Sequence, residues 1–204
     1  MTASQLPPDP LTLEREFFAR LGRLERGPLA ELRRTLADDQ PGDSGQWLQR
    51  YIFLSGLERG NRRMQFLVAA LYALIERPHD DETEEEAADR AAREGKSLGW
   101  LLGTLYREQQ ERPSTEKRFL ALLDADEEAL PYQLRQAVAL LKGSDVKPDW
   151  AQLLRDVSGW SVDGWGEEVR RRWANDFYRA ALPPRQKTEA EDTPDSTPTP
   201  EAQA

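Results

Sequence analysis

The one histidine of the chain, His79, follows Glu76 by three residues. That E-x-x-H spacing is the unit from which carboxylate-bridged di-metal helical bundles are built, so metal chemistry is the first to test. Pro78 stands inside the motif and breaks the helix that would aim both side chains at one ion. No second histidine exists for the other half-site, and His79 reads as a loop histidine. A Ser-His-Asp triad would need its base from that same loop. Cysteine is absent, which excludes disulfides, thiolate zinc sites and cysteine nucleophiles. Neither a G-x-x-x-x-G-K-[ST] loop nor a G-x-G-x-x-G fingerprint occurs. The acid run DDETEEE at 80–86 has the chemistry for weak divalent-cation binding but reads as a solvated charge run. The expectation is a protein that is not an enzyme and holds no metal or cofactor.

The remaining chemistry is cationic. With Ser114 as N-cap, Lys117 and Arg118 fall in the first turn of a helix, where the dipole favours acids over bases. Neither has an acid three or four residues away, and neither do Arg135 or Arg33. Arg34 has Glu31 and Asp38 at those spacings, and Arg63 faces Arg59. In Arg170-Arg171-Arg172, Glu167 and Glu168 precede the last two by four, so helical ion pairing accounts for most of that cluster. The candidate nucleic-acid-binding set is Arg33, Arg34, Arg63, Lys117, Arg118, Arg135 and Arg170. On local grounds an external anion and a tertiary salt bridge both remain open for these side chains.

The elements that must position them are helical. Over 114–157 three short helices follow one another. One carries Phe119, Leu120, Leu122 and Leu123; one starts near Pro131 and closes at Gly143; one is capped by Asp149 ahead of Leu153, Leu154 and Val157. Upstream, 11–26 has Leu13, Phe17, Phe18, Leu21 and Leu24 on one side, and Gly27-Pro28 separates it from a helix starting at Leu29. Further helices hold Trp47 to Leu54, Asn61 to Glu76 and Ser97 to Arg112. A last one has Trp165, Val169, Trp173 and Phe177 at successive i, i+4 positions. No hairpin signal or alternating run appears, so the fold class is all-α with eight or nine helices. Of the six tryptophans, Trp47, Trp100, Trp150 and Trp173 belong to apolar faces; Trp160 and Trp165 sit beside glycines as core lids or as a protein-binding patch.

The formal charge is −9. Residues 80–86 hold six acids and no base, and residues 185–204 hold five acids against two bases, so these two stretches account for all of it. The remaining body is neutral overall and able to carry a one-sided basic face. From residue 183 the Pro/Thr/Glu-rich tail has too little apolar surface to fold and is expected to be disordered. No secretory signal opens the chain and no segment nears the roughly 20 apolar residues of a membrane span, so a cytoplasmic protein is expected.

The succession LERGPLAELRR (24–34), GKSLGWLLGTL (95–105), STEKRFLALLDADEEALPYQLRQAVALLK (114–142), DWAQLLRDVSGW (149–160) and VRRRWANDFY (169–178) resembles the CasB family. Its members are the small subunit of the type I-E CRISPR surveillance complex, Cascade. The resemblance spans about residues 13–182. It implies a smaller N-terminal helical bundle (11–94), a larger C-terminal one (95–182) and the tail (183–204). It also implies a non-catalytic subunit that lines the path of target DNA, stabilises the R-loop and touches the guide crRNA assembly. The partners implied are the large subunit, the backbone subunits and a second copy of the chain. The family's basic groove falls here on Arg33, Arg34, Lys117, Arg118 and Arg135. The acid run at 80–86 and the tail depart from the pattern. A scaffold subunit without nucleic-acid contact is the alternative.

Overall fold

The most apolar stretch, MQFLVAALYA, forms the middle of one helix, and every residue from Met64 to Ala73 is buried. The other helices are arranged around it. A computed structural model describes residues 9–36, 47–76, 88, 91–144 and 146–182. Among them are nine helices of seven residues or more, with further helical residues at 88 and 91–93 and no strand. The nine are α1 (Thr12–Gly22), α2 (Arg26–Thr35), α3 (Leu48–Leu54), α4 (Arg62–Ile75), α5 (Leu98–Glu108), α6 (Pro113–Leu123), α7 (Leu130–Gly143), α8 (Trp150–Ser158) and α9 (Trp165–Ala181). His79, the acid run 80–86 and the tail from 183 lie outside the described residues.

Short polar side chains start three of the helices. Asn61, Ser97 and Asp149 accept the backbone N–H groups of Met64, Trp100 and Gln152 at 3.2, 3.2 and 3.1 Å. Two starts differ from expectation. α2 begins at Arg26, because Gly27 and Pro28 fit in a first turn where proline's missing N–H costs nothing. α6 begins at Pro113, with Arg112 rather than Ser114 at the cap position. Lys117 and Arg118 are therefore its fifth and sixth residues, beyond the first turn. The helix dipole acts little on them, since its effect fades within one turn.

α4 packs on α2, α7 and α8, while α8 packs chiefly on α1 and α4. The run 114–157 is thus not a self-contained three-helix unit. Phe18 and Tyr72 from the first half meet Trp150 from the second, with ring centroids 6.4 and 5.7 Å apart. One hydrophobic cluster runs from Leu11 to Ala181 across residues 94 and 95. On α1 the inward residues are Glu14, Phe17, Phe18 and Leu21; Leu13, expected on that face, is 48% exposed. Glu14 is tolerated inside because Arg155 of α8 lies 3.6 Å away.

α5 and α9 run side by side in the same direction, Gly99 against Trp173 and Gly103 against Phe177. α8 and α9 share a buried polar centre. Asp156, 1% exposed, accepts from Gln152 Nε2 and Trp173 Nε1, each at 2.7 Å, and pairs with Arg172. Burial pushes its carboxyl above the ordinary aspartate value, opposed by the hydrogen bond and charge of Arg172.

Candidate nucleic-acid interface

Six of the seven candidate cations sit on helices that are neighbours in a row: α2 on α4, α4 on α7, and α7 on α6; the seventh, Arg170, is on α9. Arg33 donates through Nε to the carbonyl of Ala73 near the C-terminal end of α4, a contact between residues forty positions apart. Arg63, at the other end of α4, points one Nη toward the carbonyl of Glu127 in the α6–α7 link, at 3.5 Å. Those two contacts are about 15 Å apart along α4, ten residues at 1.5 Å each.

Lys117 and Arg118 are exposed on α6 and Arg34 is exposed on α2; none has an ion pair or hydrogen bond among the described residues. The one acid in the first turn of α6, Glu116, is engaged elsewhere. It accepts the Tyr178 hydroxyl at 3.0 Å. Burial, then that hydrogen bond and the Glu116 charge, hold the Tyr178 phenol above its ordinary value. Arg135 is half-buried on α7, and its Nε is buried without an acceptor.

Arg170 is placed differently from the rest. Its Nε donates to the carbonyl of Leu123 at 3.0 Å and its Nη2 to that of Ala125 at 3.3 Å, and its guanidinium lies over the Trp160 ring, 4.3 Å from the centroid. Those carbonyls are at the end of α6, where helical carbonyls lack partners of their own. Trp160 is 2% exposed and donates its indole N–H to the same Ala125 carbonyl at 2.8 Å. It is a core residue, whereas Trp165 is 40% exposed beside Arg155. The neighbouring arginines pair otherwise than their spacing foretells: Arg171 takes Glu168 at i−3, and Arg172 takes Asp156.

Glu108 precedes Arg112 by four, the spacing of a helical ion pair. That pairing needs an unbroken helix, and α5 ends at Glu108. Arg112 is exposed at the head of α6 with no ion pair among the described residues. Glu76, the acid of the E-x-x-H motif, accepts the Trp150 indole N–H at 2.9 Å and pairs with Lys147 at 3.2 Å. Among the described residues no three His, Cys, Asp or Glu side chains group as a metal site, and no helix is long and apolar enough to cross a membrane.

These features define an all-helical protein with unpaired surface cations. The sequence profile of the CRISPR-associated protein Cse2 matches residues 28–178. The chain belongs to that family. It is 36% identical over 126 residues to the CRISPR-associated protein Cse2 of Thermus thermophilus, a match covering 62% of each chain. The chain thus matches less than two thirds of the length of that relative. The crystal structure of M. ruber CasB superposes with a TM-score of 0.67 at 34% identity, over 83% of this chain and 94% of that one. A chain of a CRISPR RNA-guided surveillance complex superposes with a TM-score of 0.61 over 84% and 94%, sharing the fold at 23% identity.

Proposed function

We propose that the protein is a non-catalytic subunit of a CRISPR RNA-guided surveillance complex that holds nucleic-acid backbone and stabilises the target DNA R-loop. The observation that carries this reading is the set of exposed, unpaired cations on α6 and α2: Lys117, Arg118 and Arg34, joined by Arg112 at the head of α6. Other arginines, such as Arg15, Arg155, Arg170 and Arg172, are held by carboxylates, carbonyls or rings, whereas Arg23, Arg50, Arg59 and Arg107 are also exposed without a partner among the described residues. Keeping exposed cations free costs little in water and leaves them available to phosphates. Arg135 and Arg33 adjoin this set with part of their donors available. Arg63 is kept in it as a marginal contact, and Arg170 is assigned to bracing the end of α6. Contact is to the backbone, so base pairing with guide crRNA supplies sequence choice. Its partners in this reading are crRNA, target DNA, the large and backbone subunits and a second copy of the chain.

The exposed apolar side chains Leu13, Phe53 and Leu54 on α1 and α3 favour a second reading, a scaffold subunit that meets only protein. The two are separated by Lys117→Ala/Arg118→Ala/Arg135→Ala in the assembled complex. Phosphate contact predicts weaker R-loop binding, with the slope of log K against log salt shallower by up to about 0.9 per lost contact. An intact complex with unchanged affinity and slope would leave the scaffold reading.

A further inference from the structure

A pocket of about 430 Å³ opens between α1, the C-terminal end of α4 and the head of α8. Phe18, Tyr72 and Trp150 line it, their ring centroids 5.3 to 6.4 Å apart. None of the seven candidate cations lines it.

Its acids are already engaged. Glu94 pairs with Arg15 at 2.5 Å, Glu76 is held by Trp150 and Lys147, and Asp149 accepts from Gly95 at 2.8 Å besides capping α8. Two cations on the wall are not. Arg23 and Arg93 have no ion pair or hydrogen bond among the described residues, and Arg93 Nε is buried with no acceptor. A buried donor left unmade destabilises the free protein, and a ligand acceptor would relieve that cost. Guanidinium groups favour planar or tetrahedral anions that take two donors, such as phosphate. Aromatic walls suit a nucleobase, and the volume is that of a small-molecule site.

We propose that this pocket binds a single nucleotide, with its phosphate on Arg23 and Arg93 and its base against the Phe18–Tyr72–Trp150 wall. An acidic side chain from a protein partner would satisfy the arginines but leave the aromatic hollow largely empty. The site stands on residues separate from the α6 and α2 cations, and each proposal can fail alone.

The full-length protein would be titrated calorimetrically with AMP, with inorganic phosphate and with an Asp/Glu hexapeptide. The Trp150 indole N–H signal, assigned through Trp150→Phe, would report the position of the ligand. AMP is expected to bind saturably and move that signal, with phosphate at least about tenfold weaker. Arg23→Ala/Arg93→Ala should weaken AMP about ten- to hundredfold, the loss of one or two charge-assisted hydrogen bonds. Lys117→Ala/Arg118→Ala/Arg135→Ala should leave AMP binding unchanged. The inference is overturned by absent saturable binding, an unmoved Trp150 signal or phosphate binding as tightly as AMP. It is equally overturned by tighter binding of the acidic peptide, or by an Arg23/Arg93 variant that binds AMP like the parent. Because Arg23 is exposed and Arg93 half-exposed, the variant keeps its fold, which an unchanged Tm verifies.

Discussion

Gly103 of α5 lies against the main chain of Phe177 in α9 so closely that a Cβ on Gly103 would come within 2.9 Å of the Phe177 Cα. Four residues earlier, a Cβ on Gly99 would come within 2.7 Å of the Trp173 Cα. The two glycines let the helices touch backbone to backbone, and Phe119 of α6 then stacks on the Phe177 ring at 4.2 Å. Alanine would gain about 1 kcal/mol of helix propensity at Gly103 but must push α9 away. Gly103→Ala should lose about 2 kcal/mol net, as overpacked cores do, lowering Tm by about 4–8 °C. Gly143→Ala, with nothing within 4 Å, is the control expected to hold or raise Tm. A Gly103→Ala protein that melts no lower than the parent would disprove the close approach.

The α5–α6 turn stores strain. Gln110 and Glu111 have φ of 57° and 59°, the left-handed region that costs side-chain-bearing residues about 1 kcal/mol each. Thr115, 1% exposed, anchors the turn by donating to Gln109 Oε1 at 2.7 Å. Gln110→Gly should therefore stabilise by up to about 1 kcal/mol in chemical denaturation, unlike glycine introduced elsewhere. A loss of similar size would contradict the left-handed assignment.

Arg170 and Lys117 should separate stability from binding. Arg170→Ala removes two hydrogen bonds to the end of α6 and the Trp160 contact, and should cost about 2 kcal/mol in urea unfolding. Its salt slope for nucleic acid should stay at the parent value. Lys117→Ala should do the reverse, leaving Tm alone and flattening the slope. Equal behaviour of the two variants in both measurements would remove the distinction.

Asp156 makes a pH-dependent contribution. Asp156→Asn unsettles three donors and should cost about 2 kcal/mol at neutral pH. The folded carboxyl sits above its unfolded value, so the folded state binds the proton more tightly. The linked stability is then full below the unfolded value and lost as pH rises through the folded one. The Tm gap between parent and Asp156→Asn should be widest in acid and narrow toward neutrality. A gap that widens instead would mean that the Arg172 charge outweighs burial.

Most helices were legible because their signals are local. Leu153, Leu154 and Val157 recur at helical spacing behind a capping Asp149, and α8 forms there. Boundaries failed where two local signals competed, as at Ser114 against Pro113 and at Gly27-Pro28. The Gly99-x-x-x-Gly103 spacing was visible in the chain, but its meaning needed the partner helix, since a gap for a backbone is defined by both surfaces.

By itself the sequence determined the all-helical class, the neutral body beneath the −9 charge, and the family resemblance that the profile match then established. The tertiary structure alone decided which cations remain free. Arg33 is engaged by a carbonyl 40 residues away and Arg170 by one 47 away, while Lys117 and Arg118 meet nothing among the described residues. Spacing along one helix reports only neighbours within a turn, and an electrostatic partner is set by distance in space, which the packing of α2 on α4 and of α9 against α6 creates.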